Sequence, residues 1–188
     1  MYVTAFNEFE KNKDFQKEVM DMIKKGESGD QESLDKLNAV ARNCLEGQEK
    51  SLARCGITHD SLDFESDLIK NGGVAEVVEQ LKKLPNVKQL ENGAYSIDLS
   101  KEGIDKEDGT VFLRADGTSV YITRDIEYHK KKFKEAKKSI IVLGEDHKVE
   151  AKELDILLNM LGEDTKNHEA IFISFVNFEG KKMSTRKG

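Results

Sequence analysis

Two short apolar runs with one amphipathic helix between them restrict the second half of this chain more than any other feature. SIIVLG stands at 139–144, VEAKELDILLNMLG at 149–162 and AIFISFVNF at 170–178. A near-continuous apolar strand reads as one buried in a parallel sheet, and a helix is the usual connection between parallel neighbours. The pattern therefore predicts a β-α-β unit of a doubly wound α/β sheet, with Gly162 ending the helix. Ligands of such sheets lie beyond the carboxyl ends of the strands. Gly144-Glu145-Asp146-His147 follows SIIVL at that edge. A glycine there lets backbone approach a ribose, and a carboxylate can accept its hydroxyl hydrogens. A plain polar turn is the alternative.

Upstream the patterning is helical. Phe6, Phe9, Phe15, Val19, Met22 and Ile23 suit either one helix over 2–25 or two helices broken near Asn12. After a GESGD loop, Asp30 is placed to cap a long helix whose apolar positions run from Leu34 through Leu37, Val40, Cys44, Leu45 and Leu52 to Cys55, ended by Gly56. Cys44 and Cys55, about three turns apart, are expected on one face as core residues of a helix pair. No metal-ligand spacing surrounds them. A short helix over 74–84 stops before Pro85. VKQL and AYSIDL flank Glu91-Asn92-Gly93, which predicts a hairpin with a type I′ turn. TVFLR, Ala115-Asp116-Gly117 and TSVYIT predict a second hairpin, with Thr123 capping the helix that follows.

At the YITRD junction Asp125 admits two readings. In a first helical turn it stabilises the helix dipole, with Arg124 as an ion-pair partner. It is also a bidentate acceptor suited to a guanidinium, with Tyr121 beside it. His129, eight residues past Tyr121, either faces the pocket or, as is more usual for a lone helix histidine, is structural, and His59 and His168 carry no functional signal.

The chain has a formal charge of −6, which argues against indiscriminate coating of nucleic acid. The basic run KKKFKEAKK at 130–138 is a solvated helix face or a phosphate contact. No apolar span is long enough for a membrane helix, and there is no secretory h-region. Two cysteines without an extracellular signature point to a reducing, cytoplasmic setting.

Four elements together resemble the arginyl-tRNA synthetases of class I. DGTSVYITRDIEYHKKKF (116–133) looks like their segment in which a D-G-T turn leads to Y-x-T-R-D-x-x-Y-H. LDFESDL (62–68) is similar to their aromatic stretch, VLGEDH to their V-x-G-A-D-H element, and GKKMSTRKG (180–188) to their K-M-S-K-S signature loop. The elements keep the family's order. The resemblance implies the second half of a Rossmann-type catalytic domain: a helical connective insertion over 1–84, hairpins over 85–122, and the β-α-β half over 123–188.

It further implies that Tyr121 and Asp125 hold the side chain of a substrate arginine, with His147 or Asp146 as a further polar contact. Gly144 and Asp146 would touch adenosine. Lys182, Met183 and Ser184 would close over the ATP phosphates, and Thr185 in the fourth signature place leaves Lys182, Arg186 and Lys187 as candidate catalytic cations. ATP enters as a substrate with Mg2+, and no tightly bound cofactor or protein metal cage is expected. The implied partners are L-arginine, ATP and tRNA(Arg); the family is mostly monomeric. The H-I-G-H signature and the anticodon-binding domain are absent from these residues, so the piece alone is expected to be inactive and 180–188 mobile. A non-catalytic, synthetase-like binding module is the alternative.

Overall fold

The computed structural model describes residues 2–178 and 181–182. The chain divides into two compact units, Met1–Asn71 and Gly72–Gly188.

In the first unit the helical start is two helices, α1 (Tyr2–Lys11) and α2 (Lys13–Glu27). Asn12 makes the break: its Oδ1 accepts the amides of Asp14 and Phe15, each at 3.1 Å, which caps α2. Asp30 caps α3 (Gln31–Ala53) through the Ser33 amide at 2.9 Å. Leu34 is buried at the α2–α3 contact, where Gly26 leaves room for the side chains of Leu34 and Leu37. The period of α3 is as expected, but its burial is not. Only Ser33 and Leu34 of this helix are buried, Val40 is 65% exposed, and both cysteines are exposed free thiols. Cys55 also lies past the last helical residue, in the turn completed by Gly56, so the two do not share a helix face. Periodicity specifies which residues line a stripe, not whether another surface covers it. The short α4 (Glu65–Lys70) docks on α3: Arg42 stacks 4.5 Å from the Phe64 ring centroid, and Ser66 donates to Asn38 at 2.7 Å.

The second unit opens with α5 (Gly73–Leu81), followed by the antiparallel strands β1 (Val87–Gln89), β2 (Tyr95–Ile97) and β3 (Thr110–Leu113). The first hairpin turn is not type I′. Of its residues only Gly93 has positive φ, at 92°, and Leu90 exchanges backbone hydrogen bonds with Gly93 and Ala94. That is a type I turn closed by a left-handed glycine, the usual three-residue solution. The second hairpin survives as a single bridge between Leu113 and Ser119, because the expected return strand is taken over by helix α6 (Tyr121–Glu135).

Strand β4 (Ser139–Gly144), helix α7 (Lys148–Met160) and strand β5 (His168–Ile173) form the expected parallel unit, in register from Ser139↔His168 to Gly144↔Ile173. Gly162, at φ 88°, ends the α7 region as a left-handed cap. β4 is not buried on both faces: Ile140 and Val142 are 51% and 60% exposed. β6 (Asn177–Phe178) and β7 (Lys181–Lys182) pair antiparallel.

The core joins α5, β2, β3, α6 and α7 through Val77, Leu81, Ile97, Phe112, Ile126, Leu154, Leu157 and Leu158. Glu153 is buried in α7 but paired, accepting from Thr110 at 2.6 Å and facing Lys106 at 2.5 Å. Gly109 packs against the hairpin backbone: at φ 75°, an added Cβ would stand 2.7 Å from the Ile97 carbonyl oxygen. Gly109→Ala is therefore expected to destabilise the chain by about 1–3 kcal/mol, combining left-handed strain with a backbone clash. A lowered urea midpoint measures it; an unchanged midpoint would mean that the turn relaxes freely.

Candidate active site

The first turn of α6 is built by the D-G-T turn before it. Asp116 Oδ1 accepts both the amide and the hydroxyl of Thr118, at 2.9 and 2.7 Å, while Gly117 takes φ 85°. Arg114 braces the same turn by donating to the Thr118 hydroxyl at 3.2 Å and to the Ser119 carbonyl. The helix then starts at Tyr121, with extended Val120 as its N-cap residue. Thr123 is not the cap. It sits fully buried within the first turn, its hydroxyl donating to the Phe112 carbonyl of β3. That bond ties the beginning of α6 to the core.

Tyr121 and Asp125 are four residues apart on α6, so they share one helix face, and both are exposed. The Arg124 guanidinium lies 5.0 Å from the Tyr121 ring centroid. Tyr121 thus already presents its ring face to a guanidinium, an interaction driven by the ring quadrupole.

Gly144 closes β4, followed by a single turn of 3-10 helix, Glu145–His147, whose residues are exposed. The carboxylate of Asp146 folds back over Gly144, and a Cβ at that position would stand 2.6 Å from Asp146 Oδ1. Glycine at 144 thus accommodates the carboxylate at the strand end. Gly144, Asp146 and His147 share the carboxyl edge of the β4–β5 pair. Of the signature loop, Lys182 is described only through the backbone of β7, and Met183, Ser184, Arg186 and Lys187 lie outside the described residues. The basic run at 130–138 is partly engaged: Lys130 donates to Gln80 at 2.9 Å and Lys138 pairs with Glu169 at 2.9 Å.

A family model described as the catalytic domain of class I (R) tRNA synthetases matches residues 1–188. The chain belongs to that family. An arginine–tRNA ligase from Methanothrix thermoacetophila is 36% identical over all of this chain and 33% of its own length. One from Haloquadratum walsbyi is 37% identical, over 100% of this chain and 32% of that protein. The chain therefore spans about a third of the curated relatives it matches. Among solved structures, Thermus thermophilus arginyl-tRNA synthetase aligns over 97% of this chain and 36% of its own with a TM-score of 0.71, at 19% identity, a likeness of fold. The mixed α/β architecture is that of a class I synthetase catalytic domain.

Within this synthetase domain, a buried histidine stands behind Asp125, in keeping with the structural reading of His129. His129 is 4% exposed, its Nδ1 2.7 Å from the Asp125 carbonyl oxygen and its Nε2 3.1 Å from Lys132 Nζ. The His168 ring meets it edge-on at 4.8 Å, and His168 Nε2 lies 3.8 Å from Asp155. No spacing motif announces this cluster, because His129 and His168 come from elements far apart in sequence. Burial, reinforced by the Lys132 ammonium, drives the His129 pKa from the ordinary 6.5 down to about 4. Burial lowers His168 as well, against the opposing pull of Asp155.

A histidine whose folded pKa lies below its unfolded value destabilises the fold when the unfolded chain takes up the proton first. His129's contribution is thus complete above about pH 6.5 and lost as pH falls toward 4. The loss is expected to reach on the order of 2–3 kcal/mol. Asp155, raised by burial, has the opposite sign, because the folded state holds its proton to higher pH. Thermal midpoints measured between pH 7 and pH 4 check this. His129→Asn is expected to flatten the slope, and an unchanged slope would exclude His129 as its source.

No helix among the described residues is long and apolar enough to cross a membrane.

Proposed function

We propose that this chain is part of the catalytic domain of an arginine–tRNA ligase, which activates L-arginine with ATP and transfers it to tRNA(Arg). The observation that carries the arginine assignment is the exposed Tyr121–Asp125 pair on one face of α6, with a guanidinium already stacked on the tyrosine ring. An aromatic face beside a carboxylate one turn away offers both a stacking surface and a charge-assisted, two-oxygen acceptor for a planar cation.

In the first step a carboxylate oxygen of arginine bonds to the α-phosphorus of ATP. The bond to the β-phosphate breaks, giving arginyl-adenylate and pyrophosphate. In the second, the terminal ribose hydroxyl of the tRNA attacks the arginyl carbonyl and AMP leaves. Tyr121 and Asp125 orient the amino acid. Gly144 and Asp146 border the adenosine, and His147 adds a polar contact to the substrate. Lys182, Met183, Ser184, Arg186 and Lys187 cover the phosphates, their cations stabilising the departing pyrophosphate. Catalysis of this kind is positioning plus charge stabilisation. Magnesium accompanies ATP as part of the substrate, riding on its phosphates. The helical start is a connective insertion into the catalytic domain, and the protein works in the cytoplasm.

The test is aminoacylation by the full-length polypeptide with ATP, total tRNA and each of the twenty amino acids in turn. Charging with arginine alone is expected. Charging with nothing, by a folded protein, would replace the enzyme with a synthetase-like binding module.

A further inference from the structure

Residues 121, 125, 129 and 133 recur every four positions along α6 and form one stripe. Its outer end, Tyr121 and Asp125, is exposed, while His129 is buried and Phe133 half-buried. The His129 ring is edge-on to Phe133 at 6.1 Å and to His168 at 4.8 Å, which leaves it little freedom to turn.

The two ring nitrogens are then distinguishable by chemistry. Lys132 Nζ, 3.1 Å from Nε2, is an ammonium and only donates, so Nε2 accepts. In a neutral imidazole the hydrogen must sit on Nδ1, 2.7 Å from the Asp125 carbonyl oxygen, and that N–H donates to it. The Asp125 carbonyl therefore gains a side-chain bond from one turn below, in addition to its place in the helix.

We propose that His129 is a positioning residue for the substrate site: its neutral, Nδ1-protonated imidazole, locked between Lys132 and the Asp125 carbonyl, holds the helical turn that presents the Asp125 carboxylate to the guanidinium of the substrate. This rests on the assignment of Asp125 to substrate arginine. Among the described residues, the charged and titratable groups facing the ring include Lys132, Asp125 and Tyr128 on α6, His168 on β5 and, through His168, Asp155 on α7. A proton on Nε2 would set two cations against each other at Lys132 and undo the brace.

Steady-state ATP–pyrophosphate exchange by the full-length polypeptide, with arginine and ATP titrated separately, tests the proposal in His129→Gln, His129→Asn and Asp125→Asn. The glutamine keeps an acceptor toward Lys132 but cannot reach back to the carbonyl; the asparagine keeps an N–H where Nδ1 stands. His129→Gln is expected to raise the arginine KM about threefold to tenfold, as for the loss of one hydrogen bond, with the ATP KM unmoved. His129→Asn is expected to recover most of that loss. Equal losses in the two variants, or arginine and ATP KM moving together, would reduce His129 to a packing residue. If Asp125→Asn leaves the arginine KM unchanged, the arginine assignment itself fails. If it raises that KM while His129→Gln does not, the positioning role alone fails. Nitrogen NMR of the unmodified protein gives an answer that needs no variant to fold: an Nδ1–H tautomer at His129 is expected, and an Nε2–H tautomer overturns the proposal.

Discussion

Asp125→Asn in the full-length polypeptide is expected to raise the KM for arginine by roughly 30-fold to 1,000-fold and to leave the KM for ATP nearly unchanged. The substitution keeps the shape of the side chain and removes its charge, so a guanidinium loses its charge-assisted partner. The associated loss is on the order of 2–4 kcal/mol. Asp125 stands one turn beyond Tyr121 on an exposed face, and asparagine keeps the size of the side chain there. The fold is expected to tolerate the change, with a thermal midpoint close to that of the unmodified protein. ATP–pyrophosphate exchange decides the matter. Equal rises in both KM values, together with a lowered midpoint, would make Asp125 a structural element of the first helical turn instead.

Phe112→Ala is expected to have the largest effect on stability. Phe112 is fully buried in β3 and belongs to the cluster that includes Leu81 of α5, Ile97 of β2, Ile126 of α6 and Leu157 of α7. Removing a ring from such a position destabilises by lost transfer energy plus the cavity left behind, about 3–5 kcal/mol. A drop of roughly 10–20 °C in the thermal midpoint is expected. The same residue's carbonyl receives the Thr123 hydroxyl, so a loosened β3 also loosens the start of α6. The arginine KM of Phe112→Ala is therefore expected to rise even below its melting temperature. A stability loss under about 1 kcal/mol would show that the surrounding side chains collapse into the space.

Much of the fold was legible because local physics decides it. Asp30, a short polar side chain placed where helix-start amides need an acceptor, caps as its position suggested, and the break that the pattern allowed near Asn12 is there because Asn12 caps α2. The β4-α7-β5 unit follows from two apolar runs separated by one helical repeat. The errors share a cause. Cys44, Val40, Ile140 and Val142 carry apolar character in the right period, yet they are exposed. Their burial depends on a second surface, which residue spacing does not describe. The return arm of the second hairpin shows a different conflict. TSVYIT has strand-forming residues, but the Thr123 hydroxyl bond to β3 and the burial of Ile126 suit a helix beginning at Tyr121. Tertiary packing outweighed propensity there, as it commonly does for short segments.

For the site, the division falls in the same place. Residue order alone put Gly144 at the end of a parallel strand, because the strand period is a property of the backbone, whereas it set Tyr121 in a strand, and only the structure places it one turn from Asp125 on α6. Residue order also supplied the family resemblance that the domain match then bore out. Only the tertiary structure decided that His129 is buried, that His168 from a distant strand closes on its ring, and that Lys132 leaves one tautomer to face Asp125. Those facts depend on burial and on contacts between remote elements, and a hydrogen-bond direction or a depressed pKa exists only once such contacts have formed.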